Sequence, residues 1–208
     1  MLEQLSGLII HLIQTLSYFG VFLLMMLESA FIPIPSEITL PFAGFLAQQG
    51  TFNFFGVVVV AIAGDIVGTL IAYAVGFFLE ETVIVGLIER YGKFILLSKR
   101  EYDHVMHWFQ KRGAIIITVG KLLPGFRTII GLPAGLSETP LLKTIAYTFI
   151  GSLIWCTGFA YAGFILGNNW KALDPIFRKF EVVIVVVLIL GILWYINHKL
   201  KLISFKRK

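Results

Sequence analysis

Cysteine is almost missing from this chain. The single residue, Cys156 among 208, lies inside an apolar segment, which excludes a disulfide framework and a cysteine-based zinc site. Charge is scarce too: 14% of residues are charged, against about 25% in a soluble domain, so an ordinary cytosolic domain is excluded. No Ser-His-Asp arrangement, phosphate-cradling glycine loop or zinc motif is visible. His11, His104, His107 and His198 form no metal-ligand spacing with nearby carboxylates and read as surface or interfacial. An enzyme reading therefore has little support, and no metal or other cofactor is expected. The opening MLEQLSGLIIHLIQTL lacks the basic n-region and small-residue cleavage site of a signal peptide and is expected to remain in the mature chain.

What is present is apolar. Hydrophobic residues make up 58% of the chain, with 19 Phe, 20 Gly and long apolar runs, the composition of an integral membrane protein. At about 20 residues per span the length allows four or five crossings in one membrane domain and no second, soluble one. The net charge of +5 fits cytoplasmic loops facing anionic lipid better than nucleic-acid binding.

The first apolar stretch, about 8 to 27, is predicted to span. In residues 28 to 50, ESAFIPIPSEITLPFAGFLAQQG, prolines and two glutamates interrupt an apolar run. Proline breaks helices, and broken, charged backbone at membrane depth is tolerated only when buried in protein or lining a cavity. The segment reads as a re-entrant hairpin with Pro33 and Pro35 near its tip. Residues 54 to 79 form a span with Asp65 near its middle and Gly64, Gly68, Ala72 and Gly76 on one face for close packing. Residues 80 to 112, with six Lys or Arg, five Asp or Glu and two histidines, read as a surface amphipathic region. A second hairpin, cationic, is predicted over 114 to 136, where Lys121, Pro124, Gly125, Arg127 and Pro133 break the run. Spans at 141 to 167 and 182 to 196 and a basic tail at 197 to 208 complete the chain. Trp108, Trp155, Trp170 and Trp194 read as interfacial anchors.

An internal repeat joins the halves. PFAGFL (41 to 46) resembles LPAGLS (132 to 137), and GDIVGTLIAYAVGFFL (64 to 79) resembles GSLIWCTGFAYAGFIL (151 to 166), each of the longer pair with Gly at its first and thirteenth positions. The first repeat is thus 28 to 79 and the second 114 to 167. The positive-inside rule puts the 80 to 112 region and the tail in the cytoplasm, and four crossings with two re-entrant hairpins satisfy this with both termini inside. The acidic hairpin then enters from outside and the cationic one from inside, as in inverted-repeat transporters, whose sites lie near the midplane. The expected class is an all-α polytopic membrane protein with about four transmembrane helices and two opposed re-entrant hairpins. The small-residue faces also allow a homodimer.

Five charges fall at membrane depth: Glu28, Glu37, Asp65, Lys121 and Arg127. Each costs roughly 2.5 to 3.5 kcal/mol at a helix centre, so five unpaired would cost on the order of 15 kcal/mol, comparable to the stability of a whole domain. Pairing or hydration in a shared wet cavity between the hairpins resolves this. Arg127, after Pro124-Gly125-Phe126, offers a planar fork suited to bidentate phosphate recognition, and Lys121 a second cation. The alternative is that both only neutralise Glu37 and Asp65. Glu28, Glu37 and Asp65 are candidates for proton coupling; Glu37 could instead cap a half-helix together with Ser36, and Asp65 could make a structural hydrogen bond.

Three motifs in order, ESAFIPIPSEITLPFAGFLA, GDIVGTLIAYAVG and GKLLPGFRTIIGLPAGL, resemble the DedA family, bacterial relatives of the eukaryotic VTT-domain (SNARE-associated) lipid scramblases. The resemblance runs from about Leu24 to Gly167. It implies a small polytopic lipid transporter of the bacterial cytoplasmic membrane that moves undecaprenyl phosphate or a phospholipid such as phosphatidylethanolamine, several members being linked to the proton motive force. The family's acidic pair falls on Glu28 and Glu37, and its two arginines on Lys121 and Arg127. A lysine at the first of these keeps the charge and loses the bidentate geometry.

Overall fold

The computed structural model describes residues 2–32, 34–79 and 99–169. Eight helices run through them: α1 (Leu2–Leu16), α2 (Tyr18–Ser29), α3 (Ser36–Gln48), α4 (Phe54–Phe78), α5 (Lys99–Lys121), α6 (Phe126–Ile129), α7 (Gly131–Leu136) and α8 (Leu141–Leu166). The predicted 182 to 196 span, the 197 to 208 tail, residues 80 to 98 and Pro33 lie outside the described residues.

Length separates the helices into two kinds. The 25 residues of α4 and 26 of α8 give roughly 37 and 39 Å at about 1.5 Å per residue, enough to cross a hydrocarbon layer of about 30 Å, and both are apolar enough to do so. The 12 residues of α2 and 13 of α3 reach only about 18 and 20 Å. They form a hairpin whose arms part between Ser29 and Ser36, and Phe31 takes a φ of 78° there. A second hairpin descends along the end of α5, turns at residues 122 to 125 and returns through α6 and α7. Gly125 takes a φ of 77° at the start of α6, a conformation that favours glycine. Pro133 does not lie at a break: it is the third residue of α7, within the first turn, where its missing N–H has no intrahelical partner to lose.

One prediction fails at the start of the chain. The stretch 8 to 27 is not one span, because Ser17 (φ 54°, ψ −132°) turns the backbone between α1 and α2. Gly20 lies against the Leu12 carbonyl and Ile13, which a straight helix would hold about 12 Å away, and Ile9 and Ile13 are buried in the core. An apolar run reads the same whether its helix is straight or folded back. In the 80 to 112 region, the described part is the first half of α5, which is helical up to Arg112 (φ −130°, ψ 20°). There the helix kinks and its apolar arm begins.

The packing is inverted relative to a soluble protein. Phe78 of α4 and Leu142 of α8 are 79% and 77% exposed, whereas Asp65, Lys121 and Arg127 are 0–1% exposed. Water would favour the opposite arrangement; a lipid surround favours this one.

Small residues set how the hairpins meet the long helices, and the contacts come in matched sets. Each long helix packs the first arm of its own hairpin and the second arm of the other: α4 takes α2 and α7, while α8 takes α5 and α3. A Cβ on Gly44 would strike the Ala160 carbonyl, and one on Gly135 the Tyr73 carbonyl. Gly163 abuts the Pro41 carbonyl as Gly76 abuts that of Leu132. Gly64 meets the Phe22 carbonyl and Met25; Gly151 meets the Thr118 carbonyl and Lys121. The first two sets match at the positions that the PFAGFL/LPAGLS and GDIVG/GSLIW alignments assign; the third extends the match to the first arms, pairing Phe22 with Thr118 and Met25 with Lys121.

Candidate functional site

The five charges expected at membrane depth converge. Asp65, in the middle of α4, is the hub. Its Oδ1 accepts from Ser29 Oγ, from Lys121 Nζ at 3.1 Å and from Arg127 Nη2 at 3.1 Å, and its Oδ2 accepts from Ser152 Oγ. Three donors on one carboxylate oxygen and a fourth on the other bring together α2, α4, α8 and the turn of the second hairpin. Gly68 lets α2 come close enough for this, since a Cβ there would strike Ser29 and the Met26 carbonyl.

Lys121 ends α5 with all three ammonium donors engaged: on Asp65, on Ser29 Oγ at 3.2 Å and on the Arg127 carbonyl at 3.2 Å. The last contact closes the 122 to 125 turn and fixes where Arg127 begins. Arg127 gives Nη1 to Ser36 Oγ at 2.8 Å, shares Nη2 between Asp65 and Glu28 Oε2 at 3.4 Å, and places its guanidinium 5.1 Å from the centre of the Trp155 ring. The Trp155 indole N–H donates to the same Ser36 hydroxyl at 3.3 Å. Arg127 is thus held on its face by an aromatic ring and on its fork by Ser36 and the two carboxylates. Its Nε and Glu28 Oε2 are buried without a hydrogen-bond partner among the described residues. Glu37 is buried in the first turn of α3, where a negative charge suits the helix dipole, and its charge acts on both Glu28 and Arg127.

All five residues predicted from the sequence therefore share one cluster. Two readings change. Ser36 does not cap α3: Pro35 occupies the N-cap position, with no side-chain cap bond, and the Ser36 hydroxyl is turned to Arg127 and Trp155. Trp155 is not an interfacial anchor, being 9% exposed and stacked at the site, whereas Trp108 is 53% exposed. Sequence reasoning missed Ser29, Ser36, Ser152 and Trp155. The repeat could have found two of them. Asp65 and Ser152 occupy equivalent positions 87 residues apart and hydrogen-bond each other. Ser36 and Arg127 sit 91 apart, the same offset as Gly44 and Gly135.

His11 and His107 are exposed, and among the described residues no group of three or more His, Cys, Asp or Glu is placed to hold a metal ion.

A helical bundle that buries ion pairs and exposes phenylalanine, with two long apolar helices and two broken hairpins meeting at charge, defines a helical membrane protein. The VTT domain matches residues 34–165, and the chain belongs to that family. It is 34% identical over 200 residues to "Alkaline phosphatase-like protein" of Lactococcus lactis subsp. lactis, covering 94% of each chain. It is 29% identical over 192 residues to "Undecaprenyl phosphate transporter A" of Bacillus subtilis, covering 92% of this chain and 93% of that one, and 26% identical over 202 residues to "Protein DedA" of Escherichia coli, covering 91% and 90%. No solved structure matches.

Proposed function

We propose that the protein is a lipid transporter of the bacterial cytoplasmic membrane that carries undecaprenyl phosphate, coupled to protons, through two inverted repeats with opposed re-entrant hairpins. The observation that carries this reading is the setting of Arg127: a fully buried guanidinium at the meeting of both hairpin breaks, with Nε unpartnered among the described residues, Nη1 on Ser36 and Nη2 held by exchangeable carboxylates. An unpaired buried donor costs about 1–3 kcal/mol, more when charged, and a phosphate oxygen is a ligand that would satisfy it.

Asp65 with Ser152 and Arg127 with Ser36 pair positions that the repeat makes equivalent, which supports a site on the axis of an inverted repeat, where transporters of that kind bind cargo near the midplane. In the conformation described, Lys121 and Arg127 are 1% exposed, so the site is occluded. A phosphate entering it competes with Asp65 and Glu28 for the same cations. A proton taken up by either carboxylate weakens its hold and favours the phosphate, and release of the proton restores the ion pairs and expels it. Proton movement and lipid movement are coupled through this competition. Arg127 makes the main phosphate contact; Lys121 keeps Asp65 and the Arg127 backbone in place and joins the phosphate when Asp65 lets go. A relative named for undecaprenyl phosphate transport, matched over nine-tenths of both chains, supports the choice of cargo.

The test is transport of fluorescent polyprenyl phosphate and of labelled phosphatidylethanolamine by the full chain in proteoliposomes, with and without a pH gradient. Polyprenyl phosphate is expected to move, faster with the gradient, and Arg127→Ala to stop it while the protein stays folded. Wild-type rates in Arg127→Ala would overturn the phosphate site. Indifference to the gradient would remove the coupling, and equal transport of both lipids would make the protein a scramblase.

A further inference from the structure

The two halves differ at the starts of their long helices. On the second repeat, a cleft of about 290 Å³ opens between the kink of α5, the α7–α8 loop and the first turns of α8, lined by Lys111, Ala114, Thr139, Pro140, Lys143 and Tyr147 among others. In the first half of the chain, where the match extends back from residue 28 into α2, the corresponding space is filled. With Phe22 matched to Thr118 and Met25 to Lys121, Tyr18 stands where Ala114 does; with Gly64 matched to Gly151, Phe52, Asn53 and Gly56 stand where Thr139, Pro140 and Lys143 do. Tyr18 stacks on Phe52 at 4.7 Å, lies against Gly56 and accepts from the Asn53 N–H at 2.6 Å. Tyrosine and phenylalanine thus plug one end of the molecule. Alanine and threonine leave the other end open, and a lysine replaces Gly56.

The helix starts differ in the same sense. The Asn53 side chain caps α4 by accepting from the Gly56 N–H at 3.1 Å. Pro140 gives α8 no side-chain cap, so the positive end of the helix dipole lies beside Lys143 without one. Lys111 and Lys143 outweigh the one carboxylate of the lining, Glu138. All three are exposed. The cleft lies at the end of a helix of about 39 Å, not at its middle. Close to it, exposed Trp108 carries the Arg112 guanidinium 5.9 Å from its ring centre, the residue mix of a membrane surface. This is the end of the molecule from which the basic 80 to 112 region continues, cytoplasmic by the positive-inside rule.

We propose that this cleft is a second anion site, separate from Arg127, which docks the phosphate headgroup of a membrane lipid at the cytoplasmic surface. Its volume suits a headgroup rather than a whole lipid, and the acyl or prenyl chain would run out over the exposed faces of Leu141 and Leu142. The plugged first repeat has no such site, so the two membrane faces present different surfaces to the same lipid. The proposal requires lipid binding and does not require transport.

The test uses the full chain in phosphatidylcholine proteoliposomes containing a trace of phosphatidic acid with a diazirine beside its phosphate, and the labelled peptides are mapped by mass spectrometry. Labelling is expected on residues 109 to 114 and 137 to 147. Lys111→Gln with Lys143→Gln should reduce it roughly thirtyfold, two basic residues at their usual worth beside an anionic lipid. Ala114→Tyr, which rebuilds the plug with both lysines present, should reduce it as much. Each variant is checked for wild-type elution and melting. Unchanged labelling in the folded double-lysine variant, or in folded Ala114→Tyr, overturns the site. Equal competition by inorganic phosphate at the concentration of the lipid overturns its assignment to a lipid headgroup. Because the readout is labelling, loss of transport in Arg127→Ala bears on the central site alone.

Discussion

Replacing Asp65 with Asn removes the one carboxylate that both buried cations share. Arg127 keeps Glu28 at 3.4 Å, but Lys121 has no other ion pair among the described residues, so the substitution leaves an ammonium 1% exposed beside a neutral amide. Removing one partner of a buried pair costs about 3–5 kcal/mol. Asn keeps the shape and one acceptor oxygen, which puts the expected loss near the lower end, about 3 kcal/mol. For a chain of this size, each kcal/mol moves the melting midpoint by about 2–4 °C, so Asp65→Asn should melt about 10 °C below the wild type. The structure also names the remedy. Met25 stands at the position in the first repeat that Lys121 holds in the second, packed against Gly64 as Lys121 is against Gly151, so this kind of site accepts methionine. Exchange of a whole buried pair for neutral groups of similar volume is close to neutral, and Asp65→Asn with Lys121→Met should recover most of the loss, a coupling of about 2 kcal/mol or more. Melting of the four proteins in one detergent completes the cycle. A single Asp65→Asn as stable as the wild type, or a double variant as unstable as the sum of the singles, would refute the claim that Asp65 and Lys121 stabilise the fold as a pair.

Arg127→Lys keeps the charge and loses the fork that spans Ser36 and Asp65; polyprenyl phosphate transport should fall at least tenfold while melting changes little, and full activity would show that charge alone suffices. Ser152→Ala removes the only hydrogen-bond donor on Asp65 Oδ2 among the described residues, at a cost of about 1–3 kcal/mol, read as a lower melting midpoint. Gly44→Ala and Gly135→Ala each drive a methyl group into a backbone carbonyl, so each should destabilise by about 1–3 kcal/mol, as overpacking does, and the two losses should be alike; tolerance of either by the folded protein would show that the matched contacts yield more easily than their geometry implies.

The parts of this fold that were legible in the sequence are those marked by residues that membranes make expensive. Charges at depth pointed to Glu28, Glu37, Asp65, Lys121 and Arg127, and burial brings all five together because none could be left in lipid alone. Prolines and glycines marked the hairpin turns at residues 30 to 35 and 122 to 125. Illegible were features without a hydropathy signature. Ser17 reverses the chain inside an apolar run that reads as continuous. Ser36 looks like a helix cap and serves as an acceptor for Arg127, because the tip of the opposite hairpin arrives there. Trp155 has the composition of an anchor and the position of a stacking platform, and only tertiary contact separates the two.

The repeat explains why the charges are so unevenly shared. Positions that the sequence repeat makes equivalent lie side by side at the site, and a charge kept in both would face its own sign at hydrogen-bond distance. Two aspartates at 65 and 152, or two arginines at 36 and 127, would repel each other in a setting with no water to screen them. The observed solution keeps the charge in one repeat and puts a serine in the other, so that Asp65 faces Ser152 and Arg127 faces Ser36. The anions then fall largely to the first half and the cations to the second. Each hairpin break supplies the counter-charge the other lacks, and neither half can satisfy its buried groups alone. Folding, burial of charge and closure of the site are therefore one event in this chain, and a ligand that enters the site must replace the ion pairs that hold the halves together.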